Sequence, residues 1–170
     1  MLIYTQRLRT KLLALLPALA LMTGAAHTQA AGKASFVAHY TTASLSAQEQ
    51  TAGNLLNSDR ARYNLAPLML DPELCRIARI KSEDMRDNQY FSHTSPAYGD
   101  IADMLRRFGV QFTAAGENIA HHATIEKSQA ALISSPGHRR NILSAGYTKA
   151  GVGVAIDENG FVYLTQIFVR

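Results

Sequence analysis

The stretch "AGVGVAIDENGFVYLTQIFVR", residues 150–170, decides the fold class. It holds two alternating runs joined at Asn159-Gly160, a dipeptide that favours the tight turn of a β-hairpin. Alternation puts Val152, Val154 and Ile156 on one face of the first run and Gly151, Gly153 and Ala155 on the other. The second face is nearly flat, so a helix can pack on it at close range.

Working back towards the N-terminus, the pattern changes from period two to the helical period. Ser46 with Glu49 forms an S-x-x-E capping box, and Ala52, Leu55, Leu56 and Tyr63 then mark one helix face. Pro67 in "NLAPLML" is expected to end that helix. "DPEL" opens a second helix, with Asp71 as N-cap, Pro72 in the first helical position and Glu73 in the first turn. Its inward residues are Leu74, Ile77, Ala78 and Met85, and it should fray near Asn88, which leaves "FSHTSP" (91–96) in a loop. Asp100 caps a third helix with Ile101, Met104, Leu105 and Phe108 inward and Gly109 as its stop. "GENIAHH" reads as a short strand, a fourth helix runs from about Thr124 to Ile133, and Ser135-Pro136 caps a fifth through about Leu143. Helices before a small, mostly antiparallel sheet predict an α+β domain, a three-layer α/β/α sandwich ending in a β-hairpin.

Residues 1–30 stand apart from this domain. Arg7, Arg9 and Lys11 precede the apolar run "LLALLPALALM" (12–22), and "TGAAHTQAA" follows. That order is the signature of a secretory signal peptide, with cleavage expected after Ala30 or, alternatively, after Ala26. The run is too short for the roughly 20 residues of a spanning helix, so no stable membrane span is expected after cleavage. The protein is therefore expected to be exported, to the periplasm or the exterior, with an uncleaved anchor as the rival reading. Residues 31–45 form a lead-in with a short strand at "FVAHY" (36–40), and the domain occupies 46–170.

Of the 17 Lys and Arg against 13 Asp and Glu, three bases lie in the signal segment. The mature chain is nearly neutral, and no basic run interleaved with aromatics remains to bind nucleic acid. Cys75 is the only cysteine, so no intramolecular disulfide can form. Within "ELCRIARI" it is expected to be a buried structural residue. A domain of about 140 residues can be held by packing alone.

Three residues could carry chemistry together: His93, Glu117 and His138. Taken singly, each is an ordinary loop or surface residue, and their spacing identifies no helix-borne metal motif or nucleophile elbow. The segments "LLNSDRARYNLAPLMLDPELCRIARIKSEDM", "FSHTSP", "GENIA", "SPGHRRNIL" and "VGVAIDENGFVYLTQIF" occur in an order that resembles the CAP superfamily. That superfamily takes in cysteine-rich secretory, antigen-five and pathogenesis-related proteins, and the closest resemblance is to its short, disulfide-free bacterial members. The resemblance implies a cleft in which His93 and His138 are the two histidines and Glu117 the acid. It also implies that the histidines could hold zinc or another divalent metal, which suits neutral imidazole. His138 should lie near the positive end of the fifth helix, which would favour its neutral form.

Two departures from the resemblance stand out. The chain has no Trp before "SPGH", and "LISS" offers no second acid there. Asn118 and Gln166 are expected to line the cleft, with loop bracing as their alternative, and Asn141 is expected to brace. His121 and His122 point to opposite faces of the strand and are expected at the surface. Three readings follow: a binding protein for a metal ion, lipid or cell-envelope ligand; a metal-assisted hydrolase with Glu117 as general base; or a polar cluster that only braces loops. A lipid groove would be lined by Phe91, Tyr98 and Phe112. The sequence gives no oligomeric state.

Overall fold

A computed structural model describes residues 44–170, and the expected signal segment and the strand at 36–40 lie outside the described residues. Five helices and four strands follow one another: α1 (Ala47–Arg62), β1 (Met69–Leu70), α2 (Pro72–Asp87), α3 (Ile101–Arg107), β2 (Ala115–His122), α4 (Ile125–Ser134), α5 (Pro136–Ile142), β3 (Lys149–Ile156) and β4 (Val162–Val169). The sheet order is β1-β3-β4-β2, which leaves β2 at an edge. β3 and β4 form the expected antiparallel hairpin, β2 pairs antiparallel with β4, and only β1 is parallel to its neighbour. This is the predicted α+β sandwich with one short strand added. β1 arises from "ML", which alternation over two residues cannot reveal.

The registers place Glu117, Ile167 and Gly151 side by side on one face of the sheet, and Asn118, Gln166 and Val152 on the other. The first face meets α2 and α3 through Leu74, Ile77, Ala78, Met104 and Leu105. The second meets α1, α4 and α5 through Leu56, Leu132 and Ile142, packed on Val152, Leu164 and Phe168. Among the described residues, no helix is long and apolar enough to cross a membrane.

The flat face of β3 does what its glycines predicted. A Cβ on Gly151 would lie 2.2 Å from the Leu74 carbonyl carbon, and one on Gly153 would lie 2.0 Å from the Arg79 nitrogen. The backbone of α2 therefore rests directly on the strand. Polar side chains exploit that proximity. Ser82 Oγ donates to the Gly153 carbonyl at 3.0 Å, and the Val152 N–H donates to buried Cys75 Sγ at 3.3 Å. Burial pushes the Cys75 thiol up to about 11, in keeping with a structural role.

The expected caps of α1, α2 and α3 form, and the Ser46–Glu49 capping box is complete. Glu49 does more than cap: fully buried, it takes Arg79 Nε at 2.6 Å and so ties α1 to α2. Three local expectations need correction. α1 stops at Arg62 because Asn64 adopts a left-handed conformation (φ 56), before Pro67 can act. Tyr63, expected inward, is exposed and lies against Arg139. Ser135 precedes α5 without a side-chain capping bond, and only Pro136 at the first position marks that start.

Replacing Gly153 with Ala should force α2 off the strand and cost ~3 kcal/mol or more. Gly137→Ala is the control, since its Cβ would meet nothing nearer than 3.9 Å; the change should move stability by no more than about 1 kcal/mol. Chemical denaturation of the two variants measures both, and an unaffected Gly153→Ala protein would contradict the close packing.

Candidate functional site

His93 sits in the loop after α2, Glu117 on the edge strand β2, and His138 in the first turn of α5. The loop is anchored by side chains. Ser95 Oγ accepts the N–H groups of Ala97 and Tyr98, each at 3.0 Å, and donates to Asp84 Oδ2 at 2.7 Å. Tyr90 donates its hydroxyl to the same Asp84 oxygen. The Ser95–Gly99 backbone bridge closes the turn, with Gly99 at φ 76. His93 is thereby carried over β2.

There the imidazole meets the carboxylate. His93 Nδ1 lies 2.7 Å from Glu117 Oε1. The Glu117 side chain is 3 % exposed, whereas that of His93 is 57 % exposed. An ionised carboxylate only accepts, so Nδ1 carries the proton and Nε2 presents its lone pair outward. The ring of His138 stands 6.4 Å from that of His93, centroid to centroid. The structure thus brings the three expected residues together.

The two histidines are pushed apart in basicity. The Glu117 hydrogen bond holds His93 above its ordinary value, against opposing effects of burial and of Lys81. Burial holds His138 below its ordinary value, and the neighbouring His93 adds to that. The expected direction for His138 therefore appears, with burial and charge as its causes.

Asn118 and Gln166 do not line this cleft. Both are fully buried on the opposite face of the sheet from Glu117, because strand alternation turns residue 118 away from residue 117. They belong to a chain of hydrogen bonds. Asn141 Nδ2 donates to Asn118 Oδ1 at 2.9 Å, Asn118 Nδ2 to Gln166 Oε1 at 3.1 Å, Gln166 Nε2 to Gln129 Oε1 at 2.7 Å, and Gln129 Nε2 to Asp59 Oδ2 at 2.7 Å. The chain joins α5, β2, β4, α4 and α1. Asn118 also donates to the His138 carbonyl at 3.1 Å, and Asn141 to the Glu117 carbonyl at 3.2 Å. Bracing is the role of these amides, and it fixes the backbone at both site residues.

His121 stacks on Tyr163 at 4.0 Å between Phe91 and Phe161 and is half-buried, while His122 is exposed. Tyr98 and Phe112 pack into the α2–α3 cluster, and Phe91 stands apart against His121. The three aromatics expected along a lipid groove therefore do not share one wall.

As a metal centre the donor set is limited. Among the described residues, no three His, Cys, Asp or Glu side chains gather as a metal-binding group. Glu117 is engaged with His93, so the available donors are the two imidazoles, and the second acid remains absent. The sequence reading missed Lys81, Asp84 and Tyr90 beside the site. Lys81 was detectable: on a helix whose inward face is Leu74, Ile77, Ala78 and Met85, position 81 falls on the same face.

Known proteins share the sequence family and the fold. The model of the cysteine-rich secretory protein family, CAP, matches residues 54–168. YkwD of Bacillus subtilis is 43 % identical over 127 residues, covering 74 % of this chain and 48 % of its own length. The membrane protein YlbC of the same organism is 39 % identical over 122 residues, covering 69 % and 33 %. This chain therefore spans half or less of the curated relatives it matches. A Bacillus anthracis extracellular protein containing an SCP domain superposes with a TM-score of 0.67 at 40 % identity, covering 72 % of this chain and 40 % of that one. An outer surface protein of Borrelia burgdorferi shares the fold, with a TM-score of 0.65 at 17 % identity over 71 % of this chain and 90 % of that one. With a family model spanning helices, sheet and all three site residues, the chain belongs to the CAP, or cysteine-rich secretory protein, family.

Proposed function

We propose that this is an exported binding protein whose His93–Glu117–His138 cluster takes a small polar cell-envelope ligand or a divalent cation such as zinc. The supporting observation is the 2.7 Å contact between Glu117 and His93 Nδ1, which aims Nε2 outward beside a second imidazole. A carboxylate behind a histidine is the usual arrangement for fixing the tautomer of a metal ligand. His93 and His138 would hold the ion, with water completing an open shell. Such a cation would supply positive charge for an anionic or carbonyl group of the ligand.

Binding fits better than hydrolysis. A metal-assisted hydrolase needs a base free to take a proton from water. Glu117 is almost enclosed, with Oε1 held by His93 and Oε2 buried. A small polar ligand also fits better than a lipid chain, because the aromatic side chains that would line an apolar groove are dispersed.

Zinc titration by calorimetry tests the cation. Stoichiometric binding is expected, and it should be lost in His93→Ala/His138→Ala. Silence in the unmodified protein would refute the cation and leave cell-wall fragments as the ligands to test.

The shifts set the pH dependence. His93 protonates above the ordinary ~6.5, so zinc affinity should fall at a higher pH than an unperturbed histidine would give. In stability the signs oppose each other. The His93 contribution is full below ~6.5 and is lost as pH rises through its raised folded value. That of neutral His138 is present above ~6.5 and is lost as pH falls through its lowered value. NMR titration should place His93 above His138. Glu117→Gln should bring His93 down to its ordinary value or below, since only the lowering influences of burial and Lys81 remain. A His93 titration unchanged by that substitution would mean the hydrogen bond is not made in solution.

A further inference from the structure

Lys81 lies on the sheet-facing side of α2 and is 0 % exposed. Lysine is almost never fully buried without a partner. Its ammonium has three N–H donors, and the hydrogen bond described for it runs to the Tyr90 hydroxyl at 3.2 Å. Asp84, the acid one turn further along the helix, is supplied by other donors: Tyr90 and Ser95 on Oδ2, and Asn88 Nδ2 on Oδ1 at 2.8 Å. The Asp84 oxygens are therefore taken by neutral donors and not by the Lys81 ammonium, although the Asp84 charge still reaches Lys81.

On the same side of the sheet, Glu117 has a deficit of the opposite kind. Its Oε2 is buried and has no hydrogen-bond partner among the described residues. An enclosed carboxylate with an open oxygen is costly unless positive charge stands nearby. Burial is the largest influence on Lys81 and pushes its ammonium down; of the acids that oppose this, Glu117 comes first, ahead of Asp84, and Lys81 is felt in turn at His93.

We propose that Lys81 is the positioning residue of this site: its buried ammonium is the counter-charge of Glu117, which fixes Glu117 as the acceptor that holds His93 with Nδ1 inward and Nε2 outward. Lys81 reaches no ligand itself and acts through Glu117. The proposal deepens the binding reading above, since it takes the His93–Glu117 pair as the functional one. It does not depend on which ligand binds.

The test reads the tautomer of His93 from long-range nitrogen–proton correlations at pH 8, without ligand, so a failed zinc titration leaves it intact. The unmodified protein and Lys81→Arg should hold the His93 proton on Nδ1. In Lys81→Met that form should fall to a minority, in favour of the Nε2-protonated ring. A mere packing role for Lys81 would lower stability and leave the tautomer unchanged, and that result overturns the proposal. Stability provides a second measurement, because Lys81→Met/Glu117→Gln removes both charges. It should be more stable than Lys81→Met alone, and a simple sum of the two single losses would overturn the proposal. Should Lys81→Met not fold, folding of the double variant upholds the pairing, and failure of both assigns Lys81 to the core and sinks it.

Discussion

The approach of α2 to β3 is the constraint on which the rest of the structure depends. With Gly151 and Gly153 beneath it, the helix sits on the strand at backbone distance. Only at that height can Ser82 reach both the Gly153 carbonyl and Thr165 Oγ1, and Cys75 accept from Val152. The same height presses Lys81 and Asp84 into the interior. Asp84 then anchors Tyr90 and Ser95, and through them the loop that carries His93. A flat pair of glycines thus settles where a histidine some sixty residues earlier will lie.

The sheet divides the polar interior into two chemistries. Its α2 face holds charges: Lys81, Asp84 and Glu117, with hydroxyls between them. Its other face holds amides in one donor-to-acceptor chain that runs from Asn141 and ends on the Asp59 carboxylate. Buried amides satisfied in this way rigidify a fold without any chemistry of their own. Strand β2 belongs to both, since Glu117 and Asn118 are neighbours with opposite orientation. The site forms where the two systems meet at the sheet edge, and the amide chain holds the Glu117 and His138 backbones while the charged side orients the imidazole.

That division bears on what the family resemblance can and cannot carry to this chain. The absent second acid leaves one carboxylate, and that carboxylate serves the histidine. An arrangement of this kind turns a fixed lone pair outward and keeps Glu117 away from solvent.

The sequence by itself determined the local architecture. Caps, breakers and alternation depend on residues within one turn or one strand, so three N-caps, the hairpin and the flat glycine face were legible. The family motifs also singled out His93, Glu117 and His138. Tertiary structure decided everything that needed register between distant elements. β1 exists because β3 offers it an edge, Glu49 pairs with Arg79 thirty residues away, and Tyr63 meets Arg139 of α5 at the surface instead of the core. Asn118 and Gln166 looked like cleft residues because they accompany Glu117 and a family strand; strand parity sends them to the other side. The physical reason is common to all of these cases. A local conformation is fixed by the backbone and its nearest side chains, whereas the partner of a buried polar atom is fixed only when the elements have docked.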